Sequence, residues 1–143
     1  MKVYFDASVL VASCLADHVH FQQASAAVDG IKAGVTGYIS VHGLAEFYAV
    51  STRLPYRPPV LPNEAWQFLI DDILPTLEVV TLSSEEYQEA IHHCSQNGWG
   101  GGRVYDMLHI SSARKAGCDR IYTLNVKHFQ QLAPELRDLI TSP

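Results

Sequence analysis

The sequence lacks the features of a secreted, membrane-bound or zinc-binding protein. No apolar run approaches the roughly 20 residues needed to cross a bilayer. Asp6 interrupts the N-terminal apolar segment, and no small-residue cleavage site follows it. The three cysteines have no CxxC spacing, so neither a zinc site nor a disulfide framework is expected. We therefore expect a soluble, cytoplasmic protein with three reduced, mostly buried thiols.

Positive charge is also scarce. The 143 residues carry a net charge of −5, which is not typical of a nucleic-acid-binding protein. Segment 103–128 differs, because its five basic residues outnumber its two acidic ones. The basic residues are Arg103, Arg114, Lys115, Arg120 and Lys127. This segment can attract phosphate, although ordinary solvation of helix and loop surfaces explains the same charges equally well.

The order of predicted elements indicates an α/β fold. The predicted strands are 2–5, 35–39, 77–82 and 120–124. The predicted helices are 8–16, 20–33, 41–53, 63–73, 84–97 and 103–116, followed by a short helical tail. The expected boundary residues are Gly34 after the second helix, Ser40 and Asn63 as N-caps of the third and fourth, a capping box of Ser83 and Glu86, and Gly117.

This alternation predicts one domain over residues 1–143, with a central parallel sheet of about four to five strands and helices on both faces. Ligands of such sheets bind beyond the carboxyl ends of the strands, at a switch in strand order. Asp6 lies at the carboxyl end of the first predicted strand. Its position therefore favours a functional role.

Three acidic residues stand apart from other charges. Asp6, Glu46 and Asp106 are each the only charged residue in a stretch of ten or more. Burying an unpaired carboxylate costs several kcal/mol, and no basic residue nearby in sequence serves all three. Taken singly, each has an ordinary explanation, since a strand-end Asp often caps a turn and a lone Glu often lies at the edge of a helix. Together they indicate a shared site.

Helical spacing predicts that Asp106 points inward, on the same face as His109 and Ile110. We interpret His109 as a packed core histidine, and we see no metal-ligand context for His42, His92 or His93. Like charges about 4 Å apart repel by roughly 4 kcal/mol at an effective dielectric constant near 20. A divalent cation can offset that repulsion, and oxygen ligands suit Mg²⁺ or Mn²⁺.

Three segments carry a resemblance to a known family. They are VYFDASVLVA at 3–12, ISVHGLAEFYAVSTRL at 39–54 and GGRVYDMLHISSARKAGCDRIYTLNVKHF at 101–129. The sequence resembles the PIN-domain ribonucleases, and among them the small toxins of the VapC type from bacterial toxin–antitoxin pairs. With the intervening helices, the segments cover nearly the whole chain. The third segment is the most specific, whereas the first occurs in many α/β proteins.

The resemblance implies a metal-dependent endoribonuclease that leaves a 5′-phosphate and a 3′-hydroxyl. Carried over by position, it implies that Asp6, Glu46 and Asp106 are catalytic and ligate Mg²⁺ or Mn²⁺. Three further residues are expected to support them: Ser8, Thr123 and Asn125, the last where family members often have Asp or Asn. The residues expected to hold the RNA backbone are Arg103, Arg114 and Lys127.

The resemblance also implies two partners besides RNA. One is a small antitoxin protein that inhibits by inserting a basic side chain among the carboxylates. The other is a second copy of the chain in a homodimer, for which the apolar residues Val11, Leu15 and Phe21 offer a candidate surface.

Two other classes of function compete with a nuclease. A phosphatase of the haloacid-dehalogenase type would use Asp6 as a nucleophile, but it needs a second Asp where Ser8 stands. A phospho-receiver domain would need an acidic pair near the first strand, and that pair is missing. A degenerate PIN domain that only binds RNA or protein remains an alternative, although all three acids are present.

Overall fold

The computed structural model describes all 143 residues and contains five strands and seven α-helices. The strands are β1 (Lys2–Phe5), β2 (Thr36–Ser40), β3 (Leu77–Val80), β4 (Arg120–Tyr122) and β5 (Ile140–Thr141). The helices are α1 (Ala7–Cys14), α2 (Phe21–Asp29), α3 (Val41–Arg53), α4 (Pro62–Phe68), α5 (Ser84–Gln96), α6 (Arg103–Ala116) and α7 (Val126–Leu132). A π-helical turn, Leu69–Ile73, extends α4, and a 3-10 helix, Pro134–Leu139, precedes β5.

All five strands are parallel and form one sheet in the order β3-β2-β1-β4-β5. The chain moves outward from β1 through β2 to β3, then crosses back to β4 on the other side of β1. The strand order therefore reverses next to β1, where open α/β sheets bind their ligands. Asp6 follows β1 and Thr123 follows β4, so both lie at this point.

The sheet separates two hydrophobic cores. Val3 and Phe5 of β1 face the core formed with α1 to α4, whereas Tyr4 faces the core formed with α5 to α7. This follows from the alternation of side chains along a strand. The predicted α/β architecture, with a parallel sheet and helices on both faces, is confirmed.

Several predicted boundaries are wrong. Helix α2 ends at Asp29 rather than Ala33, and Gly30 rather than Gly34 stands at its C-terminal end. Helix α4 begins at Pro62, one residue before the predicted cap Asn63, and the side chain of Glu64 accepts the N–H of Leu61 (2.9 Å). The predicted helical tail contains an additional two-residue strand, β5.

The predicted dimer surface also needs correction. Val11 and Leu15 are 2% and 8% exposed and belong to the chain's own core, so they cannot supply a contact between two copies. Phe21 is half-buried. Val11 lies on the inward face of α1, and Leu15 follows the last residue of that helix.

All three cysteines are free, and only Cys94 is buried. None of the helices combines the length and the apolar composition that crossing a bilayer requires.

Candidate active site

Asp6 is held rigidly at the carboxyl end of β1. It is 3% exposed and caps α1, where its Oδ1 accepts the Ser8 hydroxyl (2.6 Å) and the Val9 N–H (3.1 Å). Its Oδ2 accepts the hydroxyl of Thr123 (2.7 Å), which follows β4. Burial raises the pKa of Asp6, while the charge of His109 and the three hydrogen bonds oppose that rise.

Glu46 projects from α3 toward two histidines. His109 Nε2 on α6 lies 3.0 Å from Glu46 Oε2 and forms a hydrogen bond with it. His42 Nε2, one helical turn earlier on α3, lies 2.9 Å from the same oxygen. Burial disfavours the ionised form of Glu46, but the two histidines outweigh it and lower the pKa to about 2. Glu46 is therefore held as an anion.

Asp106 lies in the first turn of α6 and is half-buried. No hydrogen bond or ion pair of the structure involves its side chain. Burial is the main cause that raises its pKa to about 6. His109 and His128 lower that pKa, whereas the negative charges of Asp6 and Glu46 raise it further. The three isolated carboxylates therefore lie close enough to influence one another.

The predicted supporting residues form a short hydrogen-bonded chain around Asp6. Ser8 Oγ, besides donating to Asp6, accepts the Leu124 N–H (3.1 Å), and Thr123 Oγ1 accepts the Asn125 N–H (2.9 Å). These bonds tie the start of α1 to the segment after β4. The side chain of Asn125 is exposed and makes no hydrogen bond in the structure. Only its backbone joins this network.

The predicted RNA-backbone residues are spread more widely. Arg103 begins α6, one turn before Asp106, and Lys127 lies in the first turn of α7, four residues after Thr123. Both side chains are exposed. Arg114 lies eight residues beyond Asp106, about 12 Å along the helix axis. It forms an ion pair with Glu135. The structure therefore does not bring Arg114 to the carboxylate cluster.

The histidines were underestimated from the sequence. His109 is packed in the core, as expected, but its charge also acts on all three carboxylates, and together they raise its pKa against the effect of burial. The statement that His42 lacks a metal-ligand context is wrong. His42, Glu46 and His109 offer ligand atoms within 4.8 Å of one another. The signal was their spacing, since His42 precedes Glu46 by four residues and His109 follows Asp106 by three.

The three carboxylates supply the oxygen donors that a divalent cation takes. Asp106 carries a half-buried carboxylate without a protein partner, and its neighbours are two further carboxylates. A cation bound there would satisfy Asp106 and remove the repulsion that raises its pKa. Oxygen ligands of this kind suit Mg²⁺ and Mn²⁺.

Solved structures with the same fold were found, all at low sequence identity. VapC20 from Mycobacterium tuberculosis, a sarcin–ricin loop cleaving toxin, is 16% identical over 88% of this chain and 92% of its own, with a TM-score of 0.68. VapBC2 from Rickettsia felis, bound to a DNA fragment from its promoter, is 20% identical over 100% and 99%, with a TM-score of 0.70. FitAcB from Neisseria gonorrhoeae is 14% identical over 99% and 96%, with a TM-score of 0.65.

A comparison with curated protein sequences found no match. The family model described as the PIN domain matches residues 3–133, which include β2 through β4, all of β1 except Lys2, and every candidate carboxylate. The arrangement of Asp6, Glu46 and Asp106 around the switch point is thus part of the matched region. The chain belongs to the PIN domain family.

Proposed function

We propose that the chain is a metal-dependent endoribonuclease that hydrolyses RNA phosphodiester bonds, with Asp6, Glu46 and Asp106 as its catalytic carboxylates. The carboxylate of Asp106 is the observation that carries this proposal. It is half-buried, has no protein partner and has a pKa raised to about 6 by burial and by the two other carboxylates. Perturbed acids of this kind are typical of catalytic sites. Membership of the PIN domain family, generally one of nucleases, supports the same reaction class.

Mg²⁺ or Mn²⁺ is the proposed cofactor, held by Asp6, Glu46 and Asp106. When bound, such an ion lowers the pKa of a water molecule and stabilises negative charge on the phosphate oxygens. The protein's own contribution is rigidity and charge. Ser8 and Thr123 hold both oxygens of Asp6 in place, and His109 keeps Glu46 ionised and oriented.

Basic side chains near the cluster would position the substrate. Arg103, one turn before Asp106 on α6, and Lys127, in the first turn of α7, are exposed and are the proposed contacts to the RNA backbone. Contacts to phosphate orient a nucleic acid without reading its sequence. Arg114 is a weaker candidate, because its charge is already paired with Glu135.

The activity is tested by incubating the purified chain with structured RNA and millimolar Mn²⁺, with Asp6→Asn as the matched variant. We expect the wild type to cleave, the variant to be inactive, and chelation to stop the reaction. Folding of the variant is checked by circular dichroism. If wild type and variant release the same products, the cleavage is a contaminant. If neither cleaves but both bind RNA, the degenerate binding module replaces this proposal.

We further propose that the chain is the toxin of a toxin–antitoxin pair. The fold is shared with VapC20 and with the VapBC2 and FitAcB structures. The antitoxin would insert an arginine, whose guanidinium can grip the unpaired Asp106 carboxylate. The product of a neighbouring small gene should co-purify with the chain and inhibit it, and Mn²⁺ should weaken that inhibition. If the antitoxin binds the Asp6→Asn and Asp106→Asn variants as tightly as it binds the wild type, insertion at this site is contradicted.

The proposed location is the cytoplasm, where free thiols such as those of this chain persist. A homodimer is also proposed, now through exposed apolar side chains rather than Val11 and Leu15. Trp66 and Ile70, on and just beyond α4, are 58% and 39% exposed. Light scattering should report twice the 15.8 kDa mass of one chain. Trp66→Ser should weaken the dimer, and a monomeric wild type would contradict it.

A further inference from the structure

Two imidazoles and a carboxylate meet between α3 and α6, beside the carboxylate cluster. His42 Nε2 and His109 Nε2 lie 2.9 Å and 3.0 Å from the same oxygen, Glu46 Oε2. The ligand atoms of these three residues all lie within 4.8 Å of one another, and Asp6 and Asp106 are outside this group. The group therefore has a different ligand chemistry from the three carboxylates.

Hydrogen bonding leaves this arrangement incomplete. His109 forms a hydrogen bond with Glu46, whereas His42 Nε2 makes a short ion-pair contact with the same oxygen but no hydrogen bond. His42 Nε2 is consequently buried without a hydrogen-bond partner. A buried nitrogen of this kind costs free energy unless something binds it. A metal ion between the two rings would give this nitrogen a partner.

We propose that His42, His109 and Glu46 form a binding site for a borderline transition-metal ion such as Zn²⁺ or Co²⁺. Imidazole nitrogen suits Zn²⁺, Co²⁺ and Ni²⁺, whereas Mg²⁺ takes oxygen ligands. Two histidines and one glutamate form a common three-residue zinc set that leaves the fourth position open. Ligands on a tetrahedral ion at about 2.0–2.1 Å are roughly 3.3 Å apart. The two contacts of Glu46 Oε2 need to open by only a few tenths of an ångström, and the two ring nitrogens lie within 4.8 Å of each other.

The surroundings hold both rings in place. His109 Nδ1 lies 2.7 Å from the buried hydroxyl of Tyr4, which can accept a hydrogen bond from Nδ1–H. Nε2 could then bind a metal on releasing the proton that it donates to Glu46. His42 stacks on Tyr105, with ring centroids 4.9 Å apart and an angle of 15° between the planes. A partner on the second nitrogen of a ligating histidine is typical of metal sites.

Such a site would regulate the nuclease. Because Glu46 belongs both to this group and to the proposed Mg²⁺ or Mn²⁺ set, Zn²⁺ bound by the histidines would withdraw it from the carboxylates. Zn²⁺ should therefore inhibit Mn²⁺-dependent cleavage. This consequence rests on the proposed function, whereas the binding site itself does not.

Co²⁺ alone is the direct probe, because four-coordinate Co²⁺ with nitrogen ligands absorbs visible light. The metal-free full-length chain is titrated with Co²⁺, and we expect one equivalent to bind and Zn²⁺ to displace it. His42→Gln should weaken binding at least about tenfold. His92→Gln, which alters an exposed histidine of α5, should bind like the wild type. Asp106→Asn should also retain the absorption, because Asp106 is not a ligand of this site.

Three results would overturn the site: no visible absorption, equal affinity in the wild type and His42→Gln, or loss of the absorption in Asp106→Asn. His42 is chosen because its side chain is 21% exposed, whereas replacing the buried His109 risks the fold. In the nuclease assay, His42→Gln should need about tenfold more Zn²⁺ for half inhibition of its own Mn²⁺-dependent activity. Equal Zn²⁺ sensitivity contradicts the regulation. Co²⁺ binding by a chain that never cleaves RNA contradicts the proposed nuclease and leaves the site standing.

Discussion

Glu46 and Asp106 face the same edge of the sheet from two different helices, yet the protein treats their charges in opposite ways. Glu46 has two histidines on one oxygen and a pKa lowered to about 2. Asp106 has no hydrogen-bond or ion-pair partner, and its pKa is raised to about 6, mainly by burial. The fold thus stabilises one anion and is destabilised by the other. The unsatisfied charge marks the place where a cation or a basic side chain would bind.

The contrast has a geometric cause. His109 Nε2 is directed at Glu46 across the interface of α3 and α6, while its Nδ1 contacts Tyr4. No nitrogen remains for Asp106, although His109 lies only one turn away on the same helix. His109 therefore helps Asp106 through its charge alone.

The largest expected effect is on catalysis, where the two residues should behave alike. Asp106→Asn and Glu46→Gln should each lower RNA cleavage at least about 100-fold. Removing a residue that binds the metal directly should cost at least as much activity as removing one that only hydrogen-bonds to such a ligand. Initial rates at fixed Mn²⁺ measure this. Full activity in Glu46→Gln would confine the catalytic site to Asp6 and Asp106.

Metal binding should compensate the unpaired charge of Asp106. Mn²⁺ at about 100 times its dissociation constant should stabilise the wild type by roughly 2.7 kcal/mol. The triple variant Asp6→Asn, Glu46→Gln, Asp106→Asn should show no such rise in thermal melting. Equal shifts in both proteins would show that Mn²⁺ binds elsewhere.

Stability should separate the two residues. Glu46→Gln should destabilise the chain by about 2 kcal/mol at pH 7, because buried His109 loses its anionic partner. The value is below that for a fully buried pair, since the Glu46 side chain is 29% exposed. The folded pKa is lowered, so this contribution is present above pH 4.5 and is lost as the pH falls toward 2. Glu89→Gln, at an exposed position of α5, is the control and should change stability by less than about 0.5 kcal/mol.

The smallest expected effect is a gain in stability rather than a loss. Asp106→Asn should stabilise the metal-free chain by about 1 kcal/mol above pH 6, a value reduced for solvent screening. Between about pH 4 and 6, folded Asp106 keeps a proton that the unfolded chain has lost, so its ionisation destabilises the fold as the pH rises. The gain should vanish near pH 4. Melting curves at both pH values test this, and destabilisation at pH 7 would show that Asp106 has an undetected partner.

Much of the site could be predicted before the structure. The position of Asp6 after a short apolar strand placed it at the switch point, and the isolation of Glu46 and Asp106 in uncharged helices indicated inward-facing acids. Ser8 and Thr123 both donate hydrogen bonds to Asp6, and their supporting roles in catalysis stay a prediction. The end of α2 was less predictable, because either Gly30 or Gly34 could end the helix.

The amino-acid sequence by itself determined the order of strands and helices, the parallel sheet and the residue types available at its edge, because hydrophobic periodicity and capping act over a few residues. Only the tertiary structure decided which acid is paired. Glu46 and His109 are 63 residues apart in the chain, and their contact depends on how α3 and α6 pack across the sheet. That packing brought His42 and His109 onto one oxygen and left Asp106 without a partner, a distinction that local spacing does not encode.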